Sequence, residues 1–332
     1  MTATNRIAPW LVSCKLMPEP PHLCTLTAMR YNRLDLNLLP ALRALLVEKN
    51  VTRAGDSLHV TQSAMSGILA RLREFFNDPL IVPVGRRMEL TPLAESLVGR
   101  VNDLLVQVDS TLASRPEFIP ETSHRHFSVV ASDYTVVVLL TEVLRQLNTE
   151  APGVTVEIRQ PSDFTGADLE AGELDFHISP VGLLLEDHPS EVLFEDTFHA
   201  VVARDNKEVG DALTIEQYLA QGHVAFQQNG LPLFERWFAK THGTRRREVT
   251  VSHFGLLPHL VASTNRVATL HTRLAVRACE QQEVRMVRLD FDVPRFVNLL
   301  QWHRYRDMDP GSIWLREKII ACARAMPLLP LV

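Results

Sequence analysis

Gln62, Ser63 and Ser66 are short hydrogen-bonding side chains just behind Thr61, and Arg71 and Arg73 follow farther along the same stretch. Amides and hydroxyls at the start of a helix can approach base edges closely, and cations beyond them can reach phosphates, which is the chemistry of DNA reading. Arg86 and Arg87, next to Gly85, supply two more cations at a turn, suited to a neighbouring phosphate or the minor groove. Farther on, Ser132, Asp133, Gln160, Pro180, Phe198, Phe226, Gln227, His253, Phe254 and His271 form a second set with a different chemistry. Ser132 can donate to a carboxylate or phenol oxygen, whereas Asp133 repels a carboxylate and suits a neutral phenol. His253 and His271 can bind a phenol, and the three phenylalanines can line a cleft around an aromatic ring. Each also has an ordinary reading: an N-cap for Ser132, a structurally satisfied imidazole for each His, core packing for each Phe.

The elements that must position the first set are two short amphipathic patterns meeting at a tight turn, the signature of a helix-turn-helix. The sequence predicts a first helix capped by Thr52, with Ala54 and Leu58 on its inner face, and Val60 filling the turn. Thr61 then caps a second helix that buries Met65, Ile68, Leu69 and Leu72 and turns Gln62, Ser63, Ser66, Ala70 and Arg73 outward. Gly67 costs that helix about 1 kcal/mol relative to Ala; close approach of DNA or of a neighbouring helix would explain it. The alternative for this stretch alone is an ordinary helical hairpin. Ahead of it, Leu36, Leu39, Leu42, Leu45 and Leu46 describe a supporting helix, with Pro40 confined to its first turn.

Downstream, Leu80-Ile81-Val82 and Met88-Glu89-Leu90 around Val84-Gly85-Arg86-Arg87 read as a β-hairpin wing. Thr91-Pro92 restarts a helix, and Leu93, Leu97, Val101, Leu104, Leu105, Val108 and Leu112 give it one apolar stripe, best buried against a second copy of itself. Arg115-Pro116 and Ile119-Pro120 mark a hinge. Beyond it strands near 127–131, 154–158 and 174–178 alternate with helices at 134–148 and 164–171, predicting right-handed parallel βαβ units. A second set begins after Val192: strands near 198–203, 223–226, 249–252, 267–270 and 286–289, and helices at 213–220, 231–241, 256–263 and 273–279. A last strand, 297–301, and helix, 312–325, return to the first lobe. Two such lobes joined by crossing strands make a clamshell. Its ligand belongs beyond the carboxyl ends of the strands, at Ser132-Asp133, Gln160 to Ser162, Ser179-Pro180, Gln227 and His253-Phe254. Arg245-Arg246-Arg247 reads as a solvated turn.

The 332 residues are 46% hydrophobic and carry a formal charge of −5, enough chain for two or three packed units and against nonspecific coating of nucleic acid. From Val51 to Thr91 five arginines face four carboxylates, a local excess of one positive charge, so shape and hydrogen bonding must outweigh charge. The four cysteines, Cys14, Cys24, Cys279 and Cys322, have no metal-ligand or C-x-x-C spacing and fit free thiols in a reducing cytoplasm. No apolar run is long enough to span a membrane. G-x-S-x-G, H-E-x-x-H and nucleotide-binding glycine loops are absent, so no enzyme chemistry and no cofactor are expected. A solute-binding protein would share the clamshell, but Leu11-Val12-Ser13-Cys14 is a poor lipoprotein box behind a short apolar stretch broken by Pro9. Residues 1–28 read as a disordered extension, with translation starting at Met29; a mass spectrum of native protein carrying 1–28 would overturn that reading.

With Thr61-Gln62-Ser63-Ala64-Met65-Ser66 in a winged helix-turn-helix, a linker helix and a two-lobed α/β domain, the chain resembles the LysR-type transcriptional regulators from Met29 to about Met326. Leu34-Asp35-Leu36-Asn37-Leu38-Leu39, Phe76-Asn77-Asp78, Gly222-His223-Val224-Ala225, Ser263 to Thr269 and Ser312 to Glu317 make it most similar to the branch of nodulation and aromatic-catabolism regulators. The resemblance implies a homotetramer built as a dimer of dimers, a dyad-symmetric promoter site, a small aromatic or phenolic inducer, and RNA polymerase as a further partner. Ser63 stands where the family usually has Pro, and the wing lacks an Arg near Pro83, a contact that Arg86 or Arg87 would take over. The expected architecture is α/β with an N-terminal winged helix-turn-helix over 29–91, a dimerisation helix over 92–114 and an effector domain over 115–332. That domain's lobes are like those of a periplasmic binding protein, one over 120–185 and 296–326, the other over 190–290. The rival function is a solute-binding or enzyme-like α/β protein with an accessory DNA-binding domain, which a gel shift on the intergenic DNA beside the gene would separate.

Overall fold

The computed structural model describes residues 30–31, 34–113, 117–228 and 233–329. The expected extension, the start at Met29, Cys14, Cys24 and the Arg115-Pro116 part of the hinge lie outside the described residues. The chain divides into two compact units, one ending at Glu95 and the other beginning at Ser96.

In the first unit, Asp35 caps a turn that leads into the helix Leu39–Glu48, with Pro40 in its first turn and Leu39, Leu42, Leu45 and Leu46 buried. Leu36 precedes that helix and is exposed, so it drops out of the predicted apolar set. The next helix, Val51–Ser57, is capped by Asn50, whose Oδ1 accepts from the amides of Thr52 and Arg53 at 2.9 and 3.0 Å. Thr52 is therefore inside the helix rather than its cap: an Asn two positions earlier already holds the free amides. The turn closes by the Val60 amide donating to the Gly55 carbonyl at 2.9 Å. A Cβ on Gly55 would lie 3.0 Å from the Val60 carbonyl oxygen, so the turn leaves little room for a side chain there. Val60 does not plug the turn; its side chain is exposed. Thr61 caps the helix Gln62–Phe76 as expected, accepting from Ala64, and Met65, Leu69 and Leu72 are buried. Asn77, in the left-handed region, ends it.

The wing pairs Ile81–Val84 with Arg87–Leu90, leaving Gly85 (φ +62°) and Arg86 at the tip. Asp78 ties it down, its Oδ1 accepting from Leu80 N at 2.7 Å and from the Thr91 hydroxyl at 2.6 Å. Thr91 in turn accepts from Ala94 N, capping the helix Pro92–Ala113. Within that helix Val101 and Val106 are buried, while Leu93, Leu104 and Val108 of the predicted stripe are exposed.

The second unit is two α/β lobes. One sheet has the strand order 155–159, 126–130, 176–180, 296–302, 190–196; the other has 212–213, 284–289, 198–203, 267–271, 223–226, 247–251. Both sheets are mixed, which corrects the expectation of purely parallel units. Asp196-Thr197-Phe198 carries the chain straight from the edge of one sheet into the middle of the other, and a second crossing returns it. The strands inserted this way, 198–203 and 296–302, run antiparallel to their neighbours. The final helix, Pro310–Arg324, packs back on the first lobe as predicted. No helix among the described residues is long and apolar enough to cross a membrane.

Candidate functional site

On the helix Gln62–Phe76, Gln62, Ser63, Ser66, Gly67, Ala70 and Arg71 all lie on exposed surface. The Ser63 and Thr61 hydroxyls are 3.0 Å apart, and Arg71 reaches Asp35 at 3.4 Å, a surface contact of small energetic weight. Arg73 behaves differently from its neighbours. Its Nε donates to the Pro79 carbonyl at 2.8 Å and its Nη2 to the Ile81 carbonyl at 3.1 Å, so this cation braces the base of the wing. Arg86 and Arg87 are exposed and have no ion-pair partner among the described residues. Thr52 is exposed and serves no cap.

In the second unit a cavity of about 380 Å³ lies between the lobes. Its lining comes from the carboxyl ends of several strands and the residues just past them: Ser132 after 126–130, Pro161 to Asp163 after 155–159, Ser179 and Pro180 at the end of 176–180, Phe226 and Gln228 at and past the end of 223–226, Phe254 after 247–251, and His271 at the end of 267–271. The strand-end rule thus finds the cavity. Phe226 and Phe254 stack at 3.7 Å between ring centroids, and His271 stacks on Tyr134 at 3.8 Å. The Tyr134 hydroxyl donates to Asp196 at 2.5 Å, on the strand crossing from lobe to lobe. Burial, more than the nearby Asp196, raises the Tyr134 pKa well above that of a free phenol.

Five of the expected ligand residues, Ser132, Pro180, Phe226, Phe254 and His271, line this cavity, and five do not. Asp133 accepts from Gly255 N at 2.8 Å, a latch between lobes. Phe198 is core, its ring 5.0 Å from that of His271. Gln227 is exposed and accepts from Arg247, His253 is exposed beside the Ser252 hydroxyl, and Gln160 is exposed outside the lining. Gln160, Gln227 and His253 lie just past a strand end, where the sequence gives the position along the chain but not the direction in which the side chain turns.

Sequence reading missed Tyr134, His177, Arg236, Phe296 and Asn298 in the lining. The alternation Phe176-His177-Ile178-Ser179 puts His177 and Ser179 on one face of the strand, the one available sign of them. Burial alone lowers the His177 pKa to about 4, and that of His271 to about 3. Arg245, expected in a solvated turn, is instead buried, ion-paired to Glu235 and bonded to the Tyr218 hydroxyl, with Thr269 Oγ1 at 3.2 Å. Arg246 and Arg247 are exposed, as the turn predicted.

Comparison with known proteins matches residues 36–95 to the family model for the bacterial regulatory helix-turn-helix protein of the lysR family, and 120–321 to the LysR substrate binding domain. The sequence is 38% identical over 301 residues to nodulation protein D 1 of Bradyrhizobium elkanii and 37% identical to nodulation protein D 2 of Rhizobium tropici, covering 90% of this chain and 96% of each relative. A crystal structure of a probable transcriptional regulator from Pseudomonas aeruginosa is 29% identical, with a TM-score of 0.59 over 87% of this chain and 97% of that one. A full-length OxyR variant of the same organism, 19% identical, shares the fold with a TM-score of 0.66 over 89% and 96%.

Proposed function

The chain belongs to the LysR family of bacterial transcriptional regulators, not to a family of enzymes, and from that premise we propose how it reads DNA and what it senses. Regulators of this family bind promoter DNA, respond to small-molecule inducers and assemble as oligomers. In this chain Gln62, Ser63 and Ser66 read base edges, while Arg71, Arg86 and Arg87 meet phosphates. Thr52 and Thr61 approach the backbone at the two helix starts, and Arg73 contributes by holding the wing. The observation that carries this is the exposed face of Gln62, Ser63 and Ser66 beside Gly67, short side chains that nothing else among the described residues covers.

The partner assembly is a homotetramer, a dimer of dimers joined through the stripe at Leu93, Leu97, Leu104 and Val108. It sits on a dyad-symmetric promoter in the cytoplasm, beside RNA polymerase. The inducer is a small aromatic, phenolic molecule held between the lobes against Phe226, Phe254 and His271. Its entry shifts the lobes about the crossing strands, changes the tetramer's shape, moves the paired reading helices and relaxes the DNA bend. A gel shift on the intergenic DNA beside the gene tests this, with thermal-shift screening of phenols, flavonoids and aromatic acids to supply the ligand. A specific shift that Ser66→Ala weakens, and that a stabilising phenol alters, is expected. No specific shift with or without ligand overturns the reading, and unchanged operator affinity in Ser66→Ala overturns the assigned face.

A further inference from the structure

Polar groups around the cavity fall into two classes. Most are already engaged: Ser132 accepts from Thr135 N, Tyr134 donates to Asp196, Thr165 Oγ1 accepts from Ser162 N, and Gln228 donates to the Pro161 carbonyl. His177 and Ser179 are not. They are 6% and 5% exposed, line the cavity, and have no side-chain partner among the described residues. Two further orphans, His271 Nδ1 and Asn298 Nδ2, are sealed inside the protein, whereas the polar atoms of His177 and Ser179 are not among those sealed from solvent. A polar atom that faces a cavity and has no protein partner is one that an entering ligand can engage directly.

The spacing of two on the strand 176–180 puts the imidazole and the hydroxyl on one face. Their chemistry is complementary: a neutral imidazole offers one donor and one acceptor nitrogen, and a hydroxyl offers both. His177 feels no charged neighbour; burial is the sole cause of its lowered pKa, so at neutral pH it carries no charge. Asp163 and Arg236, the charged side chains of the lining, are both exposed.

Resting on the inducer reading above, we propose that His177 and Ser179 are the residues that select the ligand, and that they select an uncharged hydroxyl carried on an apolar body. The hydroxyl accepts from one of the pair and donates to the other, while a carboxylate at this pair would meet two neutral groups, the lining's guanidinium, Arg236, being solvent-exposed, and a bare hydrocarbon would leave both groups unpaired.

Calorimetric titration of the full-length protein with 2-naphthol, naphthalene and 2-naphthoate separates these cases. Naphthol is expected to bind about tenfold or more tighter than naphthalene, the worth of one or two neutral hydrogen bonds. Ser179→Ala and His177→Gln should each reduce that preference, and Ser179→Ala, nearly isosteric, should keep the wild-type melting midpoint while naphthalene, which no longer strands a hydroxyl, binds at least as tightly as to the wild type. A naphthol preference that survives in Ser179→Ala and His177→Gln overturns the assignment and leaves the inducer cavity standing. Naphthoate as the tightest probe, strengthening as pH falls from 7 to 5, overturns it in favour of an anion that protonates His177. If none of the three binds the wild-type protein, the aromatic-inducer reading fails and this inference with it.

Discussion

The two units treat polar side chains in opposite ways. Between Leu34 and Glu95 the buried set is Leu, Ala, Met, Ile and Gly, with Thr91 as its single polar member, and the hydrogen-bonding groups stand outside. From Ser96 onward Asp196, His177, His223, Arg245, His271 and Asp309 are buried. A unit whose partner is another macromolecule can solvate its recognition groups until the partner arrives. A unit that encloses a small molecule must desolvate them in advance, and it holds them with internal pairs and networks. Perturbing charge in the two units should therefore have consequences of different size and kind.

The largest expected effect is in the second unit. Glu235 and Arg245 are 11% and 2% exposed at their side chains, and Arg245 also meets Tyr218 and Thr269. Glu235→Ala leaves a buried guanidinium without its counter-charge, which costs about 3–5 kcal/mol. Three of the four tryptophans, Trp237, Trp302 and Trp314, lie in this unit, so with Trp10 replaced by Phe the fluorescence follows its urea unfolding. Replacing both partners, Glu235→Leu with Arg245→Met, should recover most of the loss, because the stranded charge goes too. A Glu235→Ala loss below about 1 kcal/mol would break the contrast between the units.

Acid should act on the same unit. The pKa values of His177, His223 and His271 are lowered by burial to about 4, 3 and 3, with the Arg245 charge a second cause at His223. Their unfolded counterparts titrate near 6.5, so as pH falls below that value the unfolded chain takes up protons that the folded one refuses. The stability is whole above pH ~6.5 and drains away as pH falls toward the folded values, about 4 for His177 and about 3 for His223 and His271, by about 1 kcal/mol per histidine at pH 5.5. Among the described residues the first unit has His59 alone, and it is exposed. Urea midpoints of the tryptophan signal at pH 7.5 and 5.5 check this, and equal midpoints would contradict it.

The same difference governs how far the sequence could be read. Thr61, Met65, Leu69, Leu72, the wing around Gly85 and the Thr91 cap are visible because local rules act within a few residues. Local rules also failed locally: Asn50 displaced Thr52 as cap, and Val60 stayed outside. In the second unit alternating strands and helices were legible, as was the cavity at the strand ends. The antiparallel insertions were not, because pairing direction depends on where a crossing strand lands, a long-range fact. His177 and Arg245 were lost for a related reason. A polar residue in a strand or turn looks solvated until the fold buries it, and Arg245 finds Tyr218 and Thr269 at sequence distances of 27 and 24.

Smaller effects belong to the first unit. Arg86 and Arg87 are free at the wing tip, so replacing both with Ala should leave unfolding and ligand titrations unchanged. Operator affinity should lose its steepness in salt, the slope of log K against log salt shrinking by about 0.9 for each phosphate contact removed. An unaltered slope would place the wing away from the DNA.

The smallest change tests the outward face most sharply. Gly67 sits mid-helix in Gln62–Phe76, and a Cβ built on it meets no atom within 4 Å. Of the two reasons open at the outset, a neighbouring helix among the described residues of this unit is thereby removed. A methyl group costs nothing sterically in the free protein and should stabilise the helix, so Gly67→Ala is expected to raise stability by up to about 1 kcal/mol. If the face lies against a groove, the same methyl intrudes between helix and DNA, and operator affinity should fall while stability rises. Opposite signs from one added carbon cannot come from general damage to the fold. Affinity unchanged or improved in Gly67→Ala would mean that DNA does not come close at this position, and that Gln62, Ser63 and Ser66 reach it at a greater tilt or not at all.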